Sequence, residues 1–305
     1  MTKHLFIVNP IAGGRDCTEE ISRRAAAAFL GRSEDYEVYT TQAPMDAVYK
    51  IRTAAKAAEH LRVYACGGDG TFNECINGAA LLDNVSVAPM PTGTGNDFCR
   101  MFGDEAALFS DLDALLAGTE HPMDLISCNG RYSANICSVG IDARVGTSVH
   151  DYDGLPLVGG EAAYVISAVV NLFRGINRKM HIVSDGFEYE GEAAMVCACN
   201  GRFYGGGFNP SADARPDDGI LDIFIVKKMN LLAAALYIGK YAKARGDELP
   251  EKYLSHIRSD HVFIGFEEDN VINIDGEAVF AKDVDMKLIP GAVKLIVPAG
   301  MKFFD

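Results

Sequence analysis

The stretch Gly67–Glu74, GGDGTFNE in one-letter code, decides the fold of this chain. It follows Leu61–Cys66, which is apolar except for Arg62 and predicts a strand, and it leads into Phe72–Leu82, which predicts a helix. Glycines after a strand let backbone N–H groups come close to an anion, and the N-terminus of the next helix adds positive charge. A strand, a glycine loop and a helix in this order predict a phosphate-binding edge of an α/β sheet.

Asp69 places a carboxylate in the middle of this predicted phosphate-binding loop, and Thr71 adds a hydroxyl donor. A bare carboxylate repels a phosphate, so its presence indicates a cation between the two groups, usually Mg²⁺. The alternative interpretation is a tight glycine turn that carries a surface aspartate.

Two further polar loops follow strand-like runs in the same part of the chain. Asn9–Gly14 comes after His4–Val8, and Pro91–Asp97 comes after Val85–Met90. Neither loop has the GxxxxGK[ST] spacing of a P-loop or the GxGxxG of a dinucleotide fold. Because the carboxyl ends of parallel strands meet at one edge of a sheet, we expect all three loops to gather there.

The pattern of predicted secondary structure changes near residue 124. Residues 1–124 alternate strand and helix patterns, which predicts a mostly parallel α/β domain with helices on both faces. Residues 125–305 contain short strand patterns with glycine-rich turns, which predicts an antiparallel β-sandwich domain. Two helical patterns, at residues 160–173 and 231–245, interrupt these strands. Packing of the C-terminal tail back onto the first domain is left open.

Composition excludes several classes of protein. The 305 residues carry a net charge of −14, which argues against non-specific nucleic-acid binding. No apolar run reaches the roughly 20 residues of a membrane span, and the N-terminus lacks the pattern of a signal peptide. The eight cysteines are scattered without a CxxC pair, so they are interpreted as core residues in a reducing cytosol.

The segment Val170–Asp260 differs from the rest of the chain in charge. It holds twelve basic and twelve acidic residues, so the acidic excess lies outside it. Basic residues follow both of its helical patterns, and two interpretations fit them. Cations at a helix C-terminus interact favourably with the helix dipole. A basic rim also suits an anionic membrane surface.

Two acidic turns in the second domain are candidates for chemistry. Asp275-Gly276-Glu277 lies between the strand patterns Val271–Ile274 and Ala278–Phe280. A carboxylate there could accept a proton from a substrate hydroxyl, although Asp-Gly is also typical of a plain hairpin turn. The second turn, Asp217–Gly219, offers carboxylates to a metal or to solvent.

Together these motifs resemble the diacylglycerol kinase catalytic domain family, specifically its bacterial soluble lipid kinases. The resemblance runs in family order from residue 5 to about residue 300. GGDGT by itself is shared with NAD kinases. The resemblance is carried by Asn9-Pro10 with Gly13-Gly14, by Gly67–Glu74 and Gly93–Asp97, and in the second domain by Pro210–Ala212, Asp217–Asp222 and Asp275–Glu277.

The resemblance implies a Rossmann-like ATP-binding domain of the NAD kinase and diacylglycerol kinase type, followed by a β-sandwich domain for the lipid substrate. ATP would lie between the domains, and its γ-phosphoryl group would pass to a lipid hydroxyl, with diacylglycerol as the leading acceptor and phosphatidic acid as the product. The residues implied in ATP binding are Asn9, Pro10, Ile11, Ala12, Gly13, Thr41, Gly67, Gly68, Asp69, Gly70, Thr71, Asn73, Glu74 and Thr94.

The same resemblance assigns two catalytic residues and one structural metal. Glu277 corresponds to the catalytic base, and Asp69 acts on the magnesium–phosphate assembly. A structural Mg²⁺ would be held by the Asp218 carboxylate and by the backbone carbonyls of Arg215 and Ile220. No lysine follows a phosphate loop, and the nearest basic residues are Arg15 and Arg100.

The acceptor and the partners are less constrained. Sphingoid bases, ceramide, monoacylglycerol, undecaprenol and phosphatidylglycerol are alternatives to diacylglycerol. An NAD kinase-like enzyme and a non-catalytic lipid- or nucleotide-binding regulator are the rival functions. We expect a cytoplasmic enzyme of phospholipid metabolism that touches the membrane peripherally, and a homodimer is left open. The apolar side chains available for a lipid pocket in the second domain are Val170, Phe173, Met195, Phe203, Tyr204 and Phe208.

Overall fold

The computed structural model describes residues 2–92, 96–141, 143–144 and 176–305. The chain forms two compact units, of which the first comprises Met1–Leu125 together with Ile289–Asp305. The second unit comprises Ile126–Leu288. Within the described residues, no helix is both long enough and apolar enough to cross a membrane. The predicted helix at residues 160–173 lies outside the described residues.

The first unit is built on a parallel sheet, as the alternating patterns predict. The strand order is β2-β1-β3-β4, and Lys294 and Leu295 of a later strand pair in parallel with β4. Most residues of β1 and β3 are buried, because helices cover a parallel sheet on both faces. The strands are β1 (Thr2–Val8), β2 (Asp35–Thr40), β3 (His60–Gly67) and β4 (Val85–Pro91).

Five α-helices connect or follow these strands in the described part of the first unit. Helices α2 and α3 pack closely, because Gly78 of α3 has no side chain at the contact with Ile51 of α2. A Cβ at Gly78 would lie 3.1 Å from the Ile51 side chain. The helices are α1 (Thr18–Ala28), α2 (Asp46–Ala57), α3 (Asp69–Ala79), α4 (Asp97–Arg100) and α5 (Leu112–Leu116).

Helix α3 begins three residues earlier than the sequence predicts, at Asp69 rather than at Phe72. Gly68 has an extended backbone (φ −102°, ψ −164°) and turns the chain directly from β3 into the helix. Two glycines and an aspartate are poor helix formers, so their propensity indicated a loop. The consequence is that Asp69 lies in the first turn of the helix, beside its positive end.

The second unit consists mainly of antiparallel strands, which confirms the predicted β-rich domain. The strand order is β11-β10-β9-β7-β12-β13, and β8 pairs with both β9 and β12. Helix α6 (Leu231–Tyr241) also belongs to this unit. The strands that lie wholly in this unit are β6 (Arg131–Ser133), β7 (Ile136–Gly140), β8 (Arg178–Ser184), β9 (Phe187–Cys199), β10 (Leu221–Lys227), β11 (Leu254–Ser259) and β12 (His261–Ile274). β5 (Thr119–Cys128) begins in the first unit, and β13 (Glu277–Val297) ends there.

Residues 193–199 of β9 and most of β10 are buried on both faces, because their side chains enter two different cores. Val196 and Ile223 pack with side chains of β8, β12 and β13 in the first core. Cys197 and Phe224 pack on the other face, where α6 supplies Ala233 to the second core. Helix α6 is therefore held against the outer face of this sheet.

All eight cysteines are buried, which agrees with their interpretation as small core residues. Burial raises the pKa of the Cys66 and Cys75 thiols well above the ordinary value. These thiols therefore stay protonated and behave as apolar groups.

Candidate active site

The carboxyl ends of the parallel strands are level in the first unit. Val8 lies opposite Thr40 on one side and opposite Cys66 on the other, and Gly67 lies opposite Pro91. The segments that follow these residues therefore start at the same edge, as the sequence predicts. Residues 93–95, which include Thr94, lie outside the described residues.

The side chain of Asn9 joins the first loop to helix α3. Its Nδ2 donates to Thr71 Oγ1 at 3.2 Å, and its Oδ1 accepts from the backbone N–H of Ile11 at 3.1 Å. The backbone N–H of Asn9 donates to the carbonyl of Cys66, also at 3.1 Å. Three hydrogen bonds thus hold Asn9 between two loops, so it has a structural role in addition to any contact with a ligand.

The rest of the first loop turns sharply after Asn9. The Ala12 N–H donates to the Asn9 carbonyl at 3.2 Å, and Gly13 and Gly14 have φ values of 66° and 70°. These left-handed conformations favour glycine, because a Cβ would meet the backbone. Ile11 is 82% exposed at the tip of the turn, and Pro10 precedes it. The loop therefore projects its backbone away from the core.

At this edge of the sheet, Gly67 is the position with the least room for a side chain. A Cβ at this position would lie 2.2 Å from Oγ1 and 2.5 Å from Cβ of Thr71. The Gly67 carbonyl accepts from the N–H of Thr92 at 2.9 Å, which ties β3 to the segment after β4. Only glycine allows β3 and the first turn of α3 to approach so closely.

Asp69 connects the second loop to the third. Its Oδ1 accepts from the backbone N–H of Phe98 at 3.2 Å, and its side chain is half-buried. Burial raises the pKa of the nearby Cys99 thiol, and the negative charge of Asp69 raises it further. One carboxylate suits Mg²⁺, which is usually held by one or two carboxylates together with substrate phosphates, and backbone N–H groups suit the phosphates themselves. The residues at this edge thus fit a magnesium–nucleotide.

The remaining predicted ATP-binding residues of the first unit differ in how far they are exposed to solvent. Thr41 directly follows β2, and its N–H and Oγ1 both donate to the Val8 carbonyl, at 2.9 and 3.3 Å. Gly70 is exposed and Glu74 is half-buried. Asn73 is buried inside α3, where its Oδ1 accepts from Nδ2 of Asn77 at 3.1 Å. The role of each in ATP binding stays a prediction.

The two arginines near the phosphate loops already have acidic neighbours. Arg15 is exposed and its Nη2 lies 2.7 Å from Oε2 of Glu20. Arg100 Nε lies 3.1 Å from Oδ1 of Asp97, a buried carboxylate one helical turn away. A phosphate that recruited either arginine would compete with these carboxylates.

In the second unit, Asp275 and Gly276 form the two-residue turn between β12 and β13. Their φ values are 48° and 96°, and Ile274 pairs with Glu277, which is the geometry of a type I′ hairpin. The hairpin interpretation of Asp-Gly is therefore correct for the backbone. Glu277 is the first residue of β13 and is exposed to solvent.

The Asp275 carboxylate also fixes this hairpin to the turn between β6 and β7. It accepts from Oγ of Ser133 at 2.6 Å and from the N–H groups of Ala134 at 2.8 Å and Ile136 at 2.8 Å. The N–H of Asn135 adds a fourth bond at 3.2 Å. Four donors on one carboxylate make the hairpin rigid, so the backbone of Glu277 has a defined position. Sequence reasoning did not find this role, because the turn suggested either a catalytic carboxylate or plain hairpin geometry, and the bonding partners are about 140 positions away.

The predicted structural metal turn has its own cationic partner. Asp218 Oδ2 accepts from Nη2 of Arg258 at 2.9 Å, and Asp218 Oδ1 accepts from the Ile220 N–H at 3.3 Å. Arg215 donates twice to Asp217, which raises the pKa of the Arg215 guanidinium. Among the described residues, no three His, Cys, Asp or Glu side chains cluster as metal ligands. Mg²⁺ at this turn stays a prediction, and Arg258 is a partner that the sequence did not indicate.

Comparison with known proteins bears on both units. The model of the diacylglycerol kinase catalytic domain matches residues 3–128, and the model of the YegS C-terminal NAD kinase beta sandwich-like domain matches residues 135–297. A diacylglycerol kinase of Bacillus subtilis (strain 168) is 30% identical over 284 residues, which cover 91% of this chain and 90% of that protein. The chain belongs to the diacylglycerol kinase family.

Solved structures of this family share the fold. The crystal structure of a diacylglycerol kinase from Bacillus anthracis str. Sterne has a TM-score of 0.71 at 25% identity and covers 98% of both chains. A second crystal structure from the same organism, of a protein provisionally named a diacylglycerol kinase, has a TM-score of 0.76 at 29% identity with the same coverage. The predicted fold class, an α/β domain followed by a β-sandwich-like domain, is confirmed. Kinase-family domains imply ATP as the phosphoryl donor.

Proposed function

We propose that this member of the diacylglycerol kinase family transfers the γ-phosphoryl group of ATP to a lipid hydroxyl, with diacylglycerol as the acceptor and phosphatidic acid as the product. The observation that carries the proposal is Asp69. It is a carboxylate in the first turn of α3, and it is tied to the Phe98 N–H at an edge where glycine loops gather. Residues 1–124 form the ATP-binding domain in this proposal, and residues 125–305 form the lipid-substrate domain.

The phosphate end of ATP is bound mainly by backbone groups. In this proposal the phosphates contact the loop Asn9–Gly13, Thr41, the segment Gly67–Glu74 and Thr94, and the N-terminus of α3 supplies N–H donors and its partial positive charge. Asp69 would hold Mg²⁺, and that ion would neutralise phosphate charge. The Asn9–Thr71 and Asp69–Phe98 hydrogen bonds position these donors before the nucleotide binds. Phosphoryl transfer depends on such positioning more than on covalent chemistry.

Glu277 accepts the proton of the attacking hydroxyl. A carboxylate within hydrogen-bond reach of the hydroxyl suits this role. The side chain of Glu277 is exposed and therefore accessible to a substrate, and the Asp275 bonds keep its backbone in place. In the same domain, the Asp218 carboxylate, which also accepts from Arg258, would hold a structural Mg²⁺ together with the carbonyls of Arg215 and Ile220.

A panel of acceptors tests the proposal. Purified protein is incubated with labelled ATP, Mg²⁺ and diacylglycerol, monoacylglycerol, ceramide, a sphingoid base, undecaprenol, phosphatidylglycerol or NAD. We expect label in diacylglycerol and none in NAD. Label in NAD alone would establish the NAD kinase-like alternative. Label in no acceptor, with ATP and lipid both bound, would establish the non-catalytic regulator.

We further propose that α6 makes the peripheral contact with the membrane. Leu232 and Leu236 are 80% and 66% exposed on one side of this helix. An exposed apolar patch of this kind is typical of an interaction surface. Lys240 and Lys243 follow in the sequence and suit an anionic bilayer, although Lys240 also lies 3.0 Å from Glu248. An interfacial helix binds by burying its apolar face while cations contact the headgroups.

Paired variants test this surface. The double substitution Leu232→Asp with Leu236→Asp is expected to lower binding to vesicles of anionic phospholipid at least tenfold, because it puts two charges into the interface. Flotation with vesicles measures the bound fraction. Leu30→Asp is the control, because Leu30 is 87% exposed in the first unit. Equal binding of both proteins, or binding that is insensitive to salt and anionic lipid, would contradict the proposed contact.

A further inference from the structure

A cavity of about 380 Å³ lies in the second unit beneath helix α6. Strands β9 and β10 form its floor through Ala194, Met195 and Val226. Its other lining residues come from α6 and from nearby segments, and they are Ile141, Ile176, Met229, Leu231, Ala234, Ala235, Tyr237, Ile238, Tyr241 and Leu249.

The lining of this cavity is hydrocarbon. Its members in the described part of the chain are aliphatic side chains, two methionines and two tyrosines, and no charged residue is among them. Water is stable in a cavity only where it finds two to four polar partners, so an apolar cavity is dry and binds apolar ligands. The lining therefore selects a hydrocarbon chain rather than a headgroup, a nucleotide or an ion.

The volume limits how much hydrocarbon enters. A dry cavity of about 150 Å³ binds benzene, which has six carbons. Scaling that ratio to about 380 Å³ gives room for roughly fifteen carbons. One alkyl chain of ordinary lipid length fills this space, and a second long chain does not fit beside it.

Helix α6 gives the cavity a rim that faces solvent. Leu231 and Ile238 line the cavity and are nevertheless 50% and 55% exposed, so they stand at its opening. Leu232 and Leu236 are exposed on the same helix but do not line the cavity. An alkyl chain that enters past Leu231 and Ile238 thus exchanges water or membrane for an apolar interior.

We propose that this cavity binds a single alkyl chain of the lipid acceptor and sets an upper limit of about fifteen carbons on the chain that is fully accommodated. The inference rests on the proposed function, because it takes the acceptor to be a lipid. Of the apolar residues that the sequence suggested for a lipid pocket, Met195 lines the cavity. Tyr204 and Phe208 instead pair with each other across an isolated bridge, and residues 170 and 173 lie outside the described ranges.

The absence of tryptophan from the sequence allows a direct test. Tyr237→Trp places a single indole on the cavity lining, and Leu236→Trp places it on the neighbouring outward position of α6. The probe is a dodecanoylglycerol brominated in mid-chain, used below its critical micelle concentration and without vesicles. We expect saturable quenching of the indole fluorescence by at least half in Tyr237→Trp, and less than a tenth of that quenching in Leu236→Trp.

Two results of the quenching experiment would overturn the proposal. Equal quenching in both variants would mean that the chain adsorbs to the outside of α6. No quenching in either variant would mean that the cavity does not take the chain. In both cases, circular dichroism and thermal unfolding confirm that the variants are folded.

Chain length provides the second measurement. Each buried methylene raises affinity about fourfold, so affinity should rise along an acceptor series and level off near fifteen carbons. Met229→Ala enlarges the cavity and should move that plateau to longer chains, whereas Leu30→Ala, an exposed leucine of the first unit outside the lining, should not. An unchanged plateau in Met229→Ala overturns the assignment. If the chain quenches the indole of Tyr237→Trp but the natural protein phosphorylates no lipid, the proposed function is rejected and the binding site is retained.

Discussion

Replacing Glu277 with glutamine is expected to lower ATP-dependent lipid phosphorylation by about 10²- to 10⁴-fold, the usual contribution of a general base. Glutamine keeps the shape of the side chain and removes the negative charge that accepts the proton. The loss should appear in kcat, with little change in ATP affinity, because Glu277 is assigned no contact with the nucleotide. Steady-state kinetics and an ATP titration measure the two quantities.

The hairpin makes this substitution easy to interpret. Glu277 is exposed, and the turn before it is fixed by Asp275 through four hydrogen bonds from residues 133–136. The variant should therefore unfold at the same temperature as the natural protein. Glu268→Gln is the matched control, because Glu268 is an exposed glutamate on β12. Full activity in Glu277→Gln, or an equal loss in Glu268→Gln, would refute the assignment of the base.

Gly67→Ala is expected to abolish most ATP binding and to lower the free energy of unfolding by about 3 kcal/mol, the upper part of the range for overpacking. The added Cβ would lie 2.2 Å from Thr71 Oγ1, and the stiff, β-branched threonine cannot move away without shifting α3. That shift would also break the Asn9–Thr71 bond, which holds the first loop. We expect ATP affinity to fall at least tenfold.

Gly239→Ala is the control for adding a methyl group. Gly239 lies in the last turn of α6, and a Cβ there meets nothing within 4 Å. Alanine is a better helix former, so this variant should gain about 0.5–1 kcal/mol. Thermal unfolding and a fluorescent ATP analogue compare both variants with the natural protein. An ATP affinity of Gly67→Ala equal to that of the natural protein would mean that the β3–α3 approach does not shape the nucleotide site.

Much of the fold was predictable because its signals are local. The runs that became β1 and β3 are apolar along most of their length, and parallel strands covered by helices need that composition. The glycines that follow these runs indicated the loops at the carboxyl ends of the strands. Local signals failed at the start of α3, where Gly68 and Gly70 suggested a loop. There the helix gains its first turn from the close packing of Gly67 on Thr71, which propensity does not record.

The candidate site was predictable in its parts and unpredictable in its connections. Asn9 and Asp69 were recognisable as polar residues in glycine loops, but their partners are far apart in the chain. Asn9 bonds to Thr71, 62 positions away, and Asp69 bonds to Phe98, 29 positions away. The Asp275 partners are about 140 positions distant. No sequence spacing carries such information.

The lining of the apolar cavity could not be predicted from the sequence either. Aromatic residues attracted attention in the sequence because they bury large areas. The lining is instead mostly aliphatic, and it is assembled from β9, β10, α6 and the segments near them. Each of these residues alone is indistinguishable from an ordinary core residue.

By itself, the sequence determined the alternation of strands and helices, the glycine loops and the acidic turns, because each depends on residues within a few positions of one another. Only the tertiary structure showed that Asp275 bonds the hairpin to the turn between β6 and β7 and that Asp218 has Arg258 as a partner. It also showed that residues 289–305 belong to the first unit. These features depend on contacts between distant segments, which form only when the burial of apolar side chains brings the strands together.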